Sequence, residues 1–286
     1  MIAGFYGKLP ARGDFVRSGL PRTFTDPWDD WLQPSLSAAK EAMGERWLDL
    51  YLTFPVWRFV MPDGLVGGNC WIGVFLPSVD RVGRCFPLTI CEPVTRSAAE
   101  AAGLIGIDHH LGALAQAGVD ALDADSVDFL EEKLAAVQPL RSAASDAATA
   151  GAVDAAAAGR AEEAAAGIGA DFAAGPSSSG APGSTPGRAS GSAPGAGAVA
   201  APQRIPLEAW LRRPGPLQDA SPIAWPLNGS VPAVLALAAS RFVVATLRDR
   251  VLWWSPADNA GDGGALLLAP YPFSRRLLGN LIGTGG

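Results

Sequence analysis

The sequence predicts an α+β fold, a largely antiparallel central sheet flanked by helices, and three observations carry that expectation. Apolar runs of strand length follow one another directly between residues 57 and 94, without the strict strand–helix alternation of a parallel sheet. Amphipathic stretches with helical spacing stand before and after that block, at residues 26–52 and 97–137. A further strand-rich piece ending in a Leu-rich stretch returns near the C-terminal end, beyond a long segment of different composition.

Taken in order, Ile2 to Tyr6 is an apolar run ended by Gly7, the pattern of a buried strand. Asp26 as N-cap, Pro27 at the first helical position and Asp29 and Asp30 in the first turn predict a helix. Its face is Trp28, Trp31, Leu32, Leu36, Ala39 and Met43, with Pro34 as a point of kinking or division. A turn around Trp47, Leu48, Tyr51 and Leu52 stops before Pro55. WRFVM alternates Trp57, Phe59 and Met61 with Arg58 and Val60, a PDG turn follows, and Trp71–Leu76 and Phe86–Val94 are two more strands. Ser97 with Glu100 forms a capping box for a helix bearing Leu104, Ile107, Leu111 and Leu114. Asp125 caps another bearing Val127, Leu130, Leu134 and Val137, stopped by Pro139. Near the C-terminal end, Arg241–Leu247 and Val251–Ser255 outline a hairpin, and Ser274 caps a short helix presenting Leu277, Leu278, Leu281 and Ile282.

Between Ser142 and Gln203, 48 of 62 residues are Ala, Gly, Ser or Pro. Such a segment has almost no apolar side chains to offset the entropy of ordering its backbone, so a disordered insertion is expected. The chain then divides into residues 1–141, a linker at 142–203 and residues 204–286. The last piece is short for an independent core and is expected to pack on the same fold as the first.

Composition narrows the function. With 22 basic and 28 acidic residues the net charge is −6, which argues against an electrostatic grip on nucleic acid or anionic lipid and points to a protein partner. Cys70, Cys85 and Cys91 show no CxxC or Cys/His spacing, so a reducing cytoplasm is expected and no cofactor or metal is assigned. No signal peptide and no direct membrane insertion are expected either. His109 and His110 are adjacent, point about 100° apart on a helix and are read as surface or structural residues. No GxSxG elbow, P-loop or GxGxxG turn is present, and Asp258 and Asp262 lie in a Gly-rich loop without an EF-hand register. An enzyme using aspartates, Asp80 among them, is the weaker alternative. The nine tryptophans follow the helix and strand faces and are expected in the core.

The most informative segment is PSVDRVGRCFPL, which places Asp80, Arg81 and Arg84 between two apolar strands, where charge needs solvent or a partner. Asp80 either ties loops together by pairing with one of these arginines or with Arg12, or belongs to a binding surface. Arg12, Gly13 and Asp14 spell RGD, explained here by a turn with Asp14 capping or bridging to Arg12.

GFYGKLPARGDFVRSGLP, WDDWLQ, YLTFPVWRF and GVFLPSVDRVGRCFPLT, in that order, resemble the TagF (ImpM) family associated with bacterial type VI secretion. The resemblance is strong from Ile2 to Val94, weaker to residue 141, and loose after the insertion, where VLWWS and the Leu-rich helix match. It implies an α/β sandwich similar to longin-like adaptor domains. It further implies a non-catalytic, cytoplasmic, post-translational repressor that binds a forkhead-associated scaffold or a membrane-complex component. A structural accessory subunit of the apparatus is the alternative. Some relatives carry a PP2C-type phosphatase, which residues 204–286 are too short to form. On this reading the loops bearing Lys8, Arg12, Asp14, Asp80, Arg81 and Arg84 form the partner-binding surface.

Overall fold

In the computed structural model the described residues are 3–140, 223–226, 247–256 and 265–283. They form eight strands, β1 (Gly4–Gly7), β2 (Val16–Ser18), β3 (Trp57–Met61), β4 (Cys70–Leu76), β5 (Leu88–Val94), β6 (Ile223–Pro226), β7 (Arg250–Ser255) and β8 (Ala265–Pro270). Five α-helices accompany them: α1 (Arg22–Met43), α2 (Trp47–Thr53), α3 (Arg96–Leu122), α4 (Val127–Ala136) and α5 (Arg276–Gly283). The strands make one sheet in the order β2-β1-β5-β4-β3-β7-β8-β6, and every neighbouring pair is antiparallel. The α+β class with an antiparallel sheet flanked by helices is therefore the observed architecture. The expected insertion at 142–203, the run at 241–246 and the Asp258–Asp262 loop lie outside the described residues.

The period-two alternation of strands sorts the apolar side chains into two layers. From β3, β4 and β7, Trp57, Phe59, Met61, Trp71, Phe75, Val251 and Trp253 point to one face. There they meet Phe24, Trp28, Trp31 and Leu32 of α1, Trp47 and Tyr51 of α2, and Leu277, Leu278, Leu281 and Ile282 of α5. Val60, Ile72, Val74, Leu76, Leu88, Ile90, Leu252 and Trp254 point to the other, against Leu104, Ile107, Leu111 and Leu114 of α3 and Leu130 and Leu134 of α4. Two indole N–H groups in the first layer are anchored, Trp28 Nε1 donating to Thr89 Oγ1 at 2.9 Å and Trp57 Nε1 to the Leu281 carbonyl at 3.0 Å, whereas Trp253 Nε1 is buried without a hydrogen-bond partner among the described residues. For Trp28 and Trp57 that satisfaction offsets the cost of burying a polar N–H.

Three helix starts differ from the sequence expectation. α1 begins at Arg22, not after Asp26, because fully buried Phe24 stacks on Trp28 and packs at a tilt against Trp71, with centroids 5.1 and 4.4 Å away, so the apolar face extends a turn upstream. Pro27 and Pro34 lie inside a helix that continues through both. Thr95, not Ser97, caps α3, its hydroxyl accepting the Ala98 amide at 3.1 Å, and Ser126, not Asp125, caps α4 by accepting the Asp128 amide at 3.0 Å. Within α3, Gly103 adopts φ 63°, a conformation that spares only glycine strain, and there the helix bends. The second strand beside β7 is β8, whose ALLLAP run pairs with it from Arg250↔Pro270 to Ser255↔Ala265.

The C-terminal strands are tied across the sheet to the N-terminal half. β7 pairs with β3 through Arg58↔Trp254, Phe59↔Trp253 and Val60↔Leu252. Beside this seam, Asp108 of α3 accepts from Trp254 Nε1 at 2.6 Å and from the Arg58 guanidinium.

Candidate functional site

β1 ends at Gly7, and the chain runs on through Lys8 and Leu9 into a turn closed by the Arg12 amide on the Leu9 carbonyl at 3.0 Å. β4 ends at Leu76, and the connection to β5 narrows into a hairpin at the Val79↔Cys85 bridge. Asp80 organises its tip. Its Oδ1 accepts the Val82 amide at 3.0 Å and the Arg84 amide at 2.9 Å, the side-chain turn that aspartate makes two residues on. Its Oδ2 receives Lys8 Nζ and Arg84 Nε, both at 2.6 Å. Burial favours the neutral carboxyl, but the hydrogen bonds from Lys8, from the Arg84 backbone and guanidinium and from the Val82 amide outweigh it. They hold Asp80 well below the ordinary carboxylate range.

A second set of bonds pins the two loops from beneath. Ser78 Oγ donates to the Lys8 carbonyl at 2.6 Å, and the Tyr51 hydroxyl of α2 donates to the Ser78 carbonyl at 2.7 Å. Above them the Arg81 amide donates to the Arg12 carbonyl at 2.9 Å, and the Arg84 guanidinium donates to the Gly13 carbonyl.

The six residues singled out in the sequence therefore form one cluster with two roles. The side chain of Asp80 is 0% exposed and that of Lys8 is 8% exposed, so neither meets a partner directly; they fasten the loops to each other. Arg12, Asp14, Arg81 and Arg84 are exposed, Arg84 with 60% of its side chain in solvent despite its bond to Asp80. Asp80 pairs with Arg84 and Lys8, not Arg12, and no Arg12–Asp14 ion pair exists among the described residues.

Sequence reasoning passed over the neighbours that complete this surface. Phe15 stacks on Tyr6 with centroids 5.7 Å apart and meets Phe86 edge-on at 4.7 Å, and Lys8 Nζ lies 5.2 Å from the Phe15 centroid. Phe15 is 45% exposed and Val82 68% exposed. Beside Phe15 opens a cleft of about 530 Å³ lined by Tyr6, Phe15, Arg17, Asp29 and Gln33. In it Asp29 accepts from the Tyr6 hydroxyl at 2.6 Å and from Gln33. The only available signal was the alternation of Phe15, Val16 and Arg17, too short to read as a strand.

Elsewhere, one titratable pair lies in the core and others lie at the surface, Arg96 with Asp63 and Lys133 with Asp120. His110 is buried with Nε2 2.7 Å from Glu92 Oε1, while His109 is exposed. Among the described residues no three His, Cys, Asp or Glu side chains cluster as metal ligands, and no helix is long and apolar enough to cross a membrane.

Comparison with known families finds similarity in the part of the chain that carries this cluster. The TagF N-terminal domain, type VI secretion system-associated, matches residues 4–137. That segment, just under half of the chain, is where the similarity lies. It contains all six cluster residues together with β1–β5 and α1–α4. The chain is also similar to PA0076 from Pseudomonas aeruginosa PAO1, known from a crystal structure. The two share 43% identity over 48% of this chain and 62% of that one, with a TM-score of 0.44. The chain thus spans less than two thirds of PA0076. Comparison with curated proteins gives no match.

Proposed function

We propose that this chain acts as a TagF protein, a non-catalytic, cytoplasmic, post-translational repressor of type VI secretion, by binding a forkhead-associated scaffold or a membrane-complex component. The observation that carries this reading is the pairing of the TagF match over residues 4–137 with a rigid loop cluster that turns Arg12, Asp14, Arg81 and Arg84 outward. Buried bonds through Asp80, Lys8, Ser78 and Tyr51 fix the loops before any partner arrives, so little ordering entropy is lost on binding. Exposed guanidinium groups beside aromatic rings are the raw material of interface anchors. In the domain plan that goes with this reading, residues 1–141 form the binding part, 142–203 a linker and 204–286 a piece of the same fold.

The test is secretion in the native host. Overproducing the chain should silence secretion and deleting it should raise secretion, whereas a structural subunit of the apparatus predicts that deletion abolishes it. The double variant Arg81→Ala, Arg84→Ala should stay folded, lose silencing and fail to retain secretion components in an affinity purification. Silencing undiminished in that variant would remove the arginines from the interface.

A further inference from the structure

Resting on that reading and deepening it, we propose that the partner docks an extended segment along the outer edge of β2. The segment carries a carboxylate and an apolar side chain two positions apart, over Arg17 and Phe15.

β2 is the terminal strand of the sheet, and among the described residues no strand lies beyond it. Such an edge leaves backbone donors and acceptors unpaired and takes an added strand readily. An arginine on an edge is the ordinary guard against unwanted pairing. Phe15 departs from that pattern, since a guarded edge does not hold out an aromatic ring. Its ring is nearly half exposed, yet the Tyr6 stack and the Phe86 edge contact fix it in place. It is a preorganised apolar platform, the kind that binds without losing side-chain freedom.

Charge selects the chemistry of the occupant. In the cleft beside Phe15, Asp29 is already served by Tyr6 and Gln33, whereas no ion pair or hydrogen bond engages the Arg17 guanidinium among the described residues. Arg12 and Arg81 are likewise exposed and without an ion pair among the described residues. Residues 8–18 and 78–86 together hold five cations and two carboxylates, on a chain whose net charge is −6. A second copy pairing through the same edge would bring like charge to like, which argues for a distinct, acidic protein segment.

Spacing supplies the pattern. Phe15 stands one residue before β2 and Arg17 within it, and both side chains border the same cleft, as residues two apart on an extended chain do. A strand added to β2 sets side chains two apart opposite them, and the complementary reading is apolar-x-acidic.

The probe is a phage-displayed library of random dodecapeptides selected on the immobilised full chain, followed by a synthetic peptide of the enriched consensus. The expected consensus holds Asp or Glu two positions from a large apolar residue. Binding should weaken about tenfold or more with Phe15→Ala, with Arg17→Glu, and when the peptide's carboxylate is replaced by lysine. N-methylation of alternate peptide amides on the pairing edge should abolish it. Circular dichroism of Phe15→Ala, Arg17→Ala and Arg17→Glu checks that each is folded. No enrichment, a consensus without acidic residues, or binding indifferent to these substitutions would overturn the inference, as would self-association of the pure chain lost with Arg17→Glu. In the host, Phe15→Ala and Arg17→Glu chains that silence secretion as well as the unaltered one, while the Arg81, Arg84 variant does not, would sink this docking mode and leave the functional reading standing. An unaltered chain that leaves secretion unchanged overturns the functional reading, and this inference with it.

Discussion

Lys8 and Asp80, 72 residues apart in sequence, meet at 2.6 Å with both side chains withdrawn from solvent. Removing one member of such a pair strands the other, which is worse than never having buried either. Asp80→Ala should therefore lower unfolding stability by about 3–5 kcal/mol in urea titration. Arg84→Ala, which removes a side chain 60% exposed, should cost no more than about 1 kcal/mol. Equal costs for the two would mean that Lys8 contributes nothing to holding the loops.

The same carboxylate makes stability depend on acid. Because its folded pKa lies below the ordinary value, the contribution of Asp80 is complete above the unfolded value of about 4 and is lost as pH falls towards the folded one. The gap in urea midpoint between the unaltered chain and Asp80→Asn should accordingly narrow below about pH 4 and stay constant from pH 5 to 7. A gap that widened on acidification would reverse the sign assigned here.

Gly73 sits mid-strand in β4, where an added Cβ would come within 2.5 Å of Cys91 Cβ, 2.6 Å of the Ile90 carbonyl oxygen and 2.7 Å of Phe59 Cζ. Two of those neighbours belong to β5 and cannot withdraw without moving the sheet. Gly73→Ala should destabilise by about 1–3 kcal/mol through overpacking, opposite to alanine's usual gain over glycine. Thermal denaturation of the single variant decides it.

Trp254 and Arg58 both serve Asp108, joining β7 and β3 to α3. Trp254→Phe keeps most of the ring but deletes the N–H, and with a charged acceptor the loss should be about 1.5–3 kcal/mol. Asp108→Asn should then make Trp254→Phe cheaper, a coupling that a double-mutant cycle reads directly.

Strands and helices were legible wherever the pattern is local. WRFVM, the Trp71–Leu76 run and the Leu277–Ile282 face all occupy the elements their spacing indicates. Helix starts were less so, because Thr95 and Ser126 outcompete equally suitable neighbours through geometry that no composition encodes, and Phe24 draws α1 upstream through partners on a distant strand. ALLLAP carries no alternation since both faces of β8 are covered, which removes the period-two signal. In the loop cluster, Asp80 was visible as a charge between apolar strands. Its pairing with Lys8 was not, since nothing near Lys8 in sequence marks a buried ammonium.

β3 has β4 on one side and β7 on the other. As the chain leaves the ribosome, β4 follows β3 almost at once, whereas β7 emerges only after the whole Ala/Gly/Ser/Pro stretch. The nascent protein thus carries a bare central strand bearing Trp57 and Phe59 for much of its synthesis, in crowded company. The closure entropy grows only logarithmically with the intervening length, so the stretch weighs little on final stability. It weighs instead on the waiting time, during which that strand is open to other chains. Residues 4–137, the span defined by similarity, hold β3 but not β7, so that span by itself would leave the β7 side of β3 unpaired.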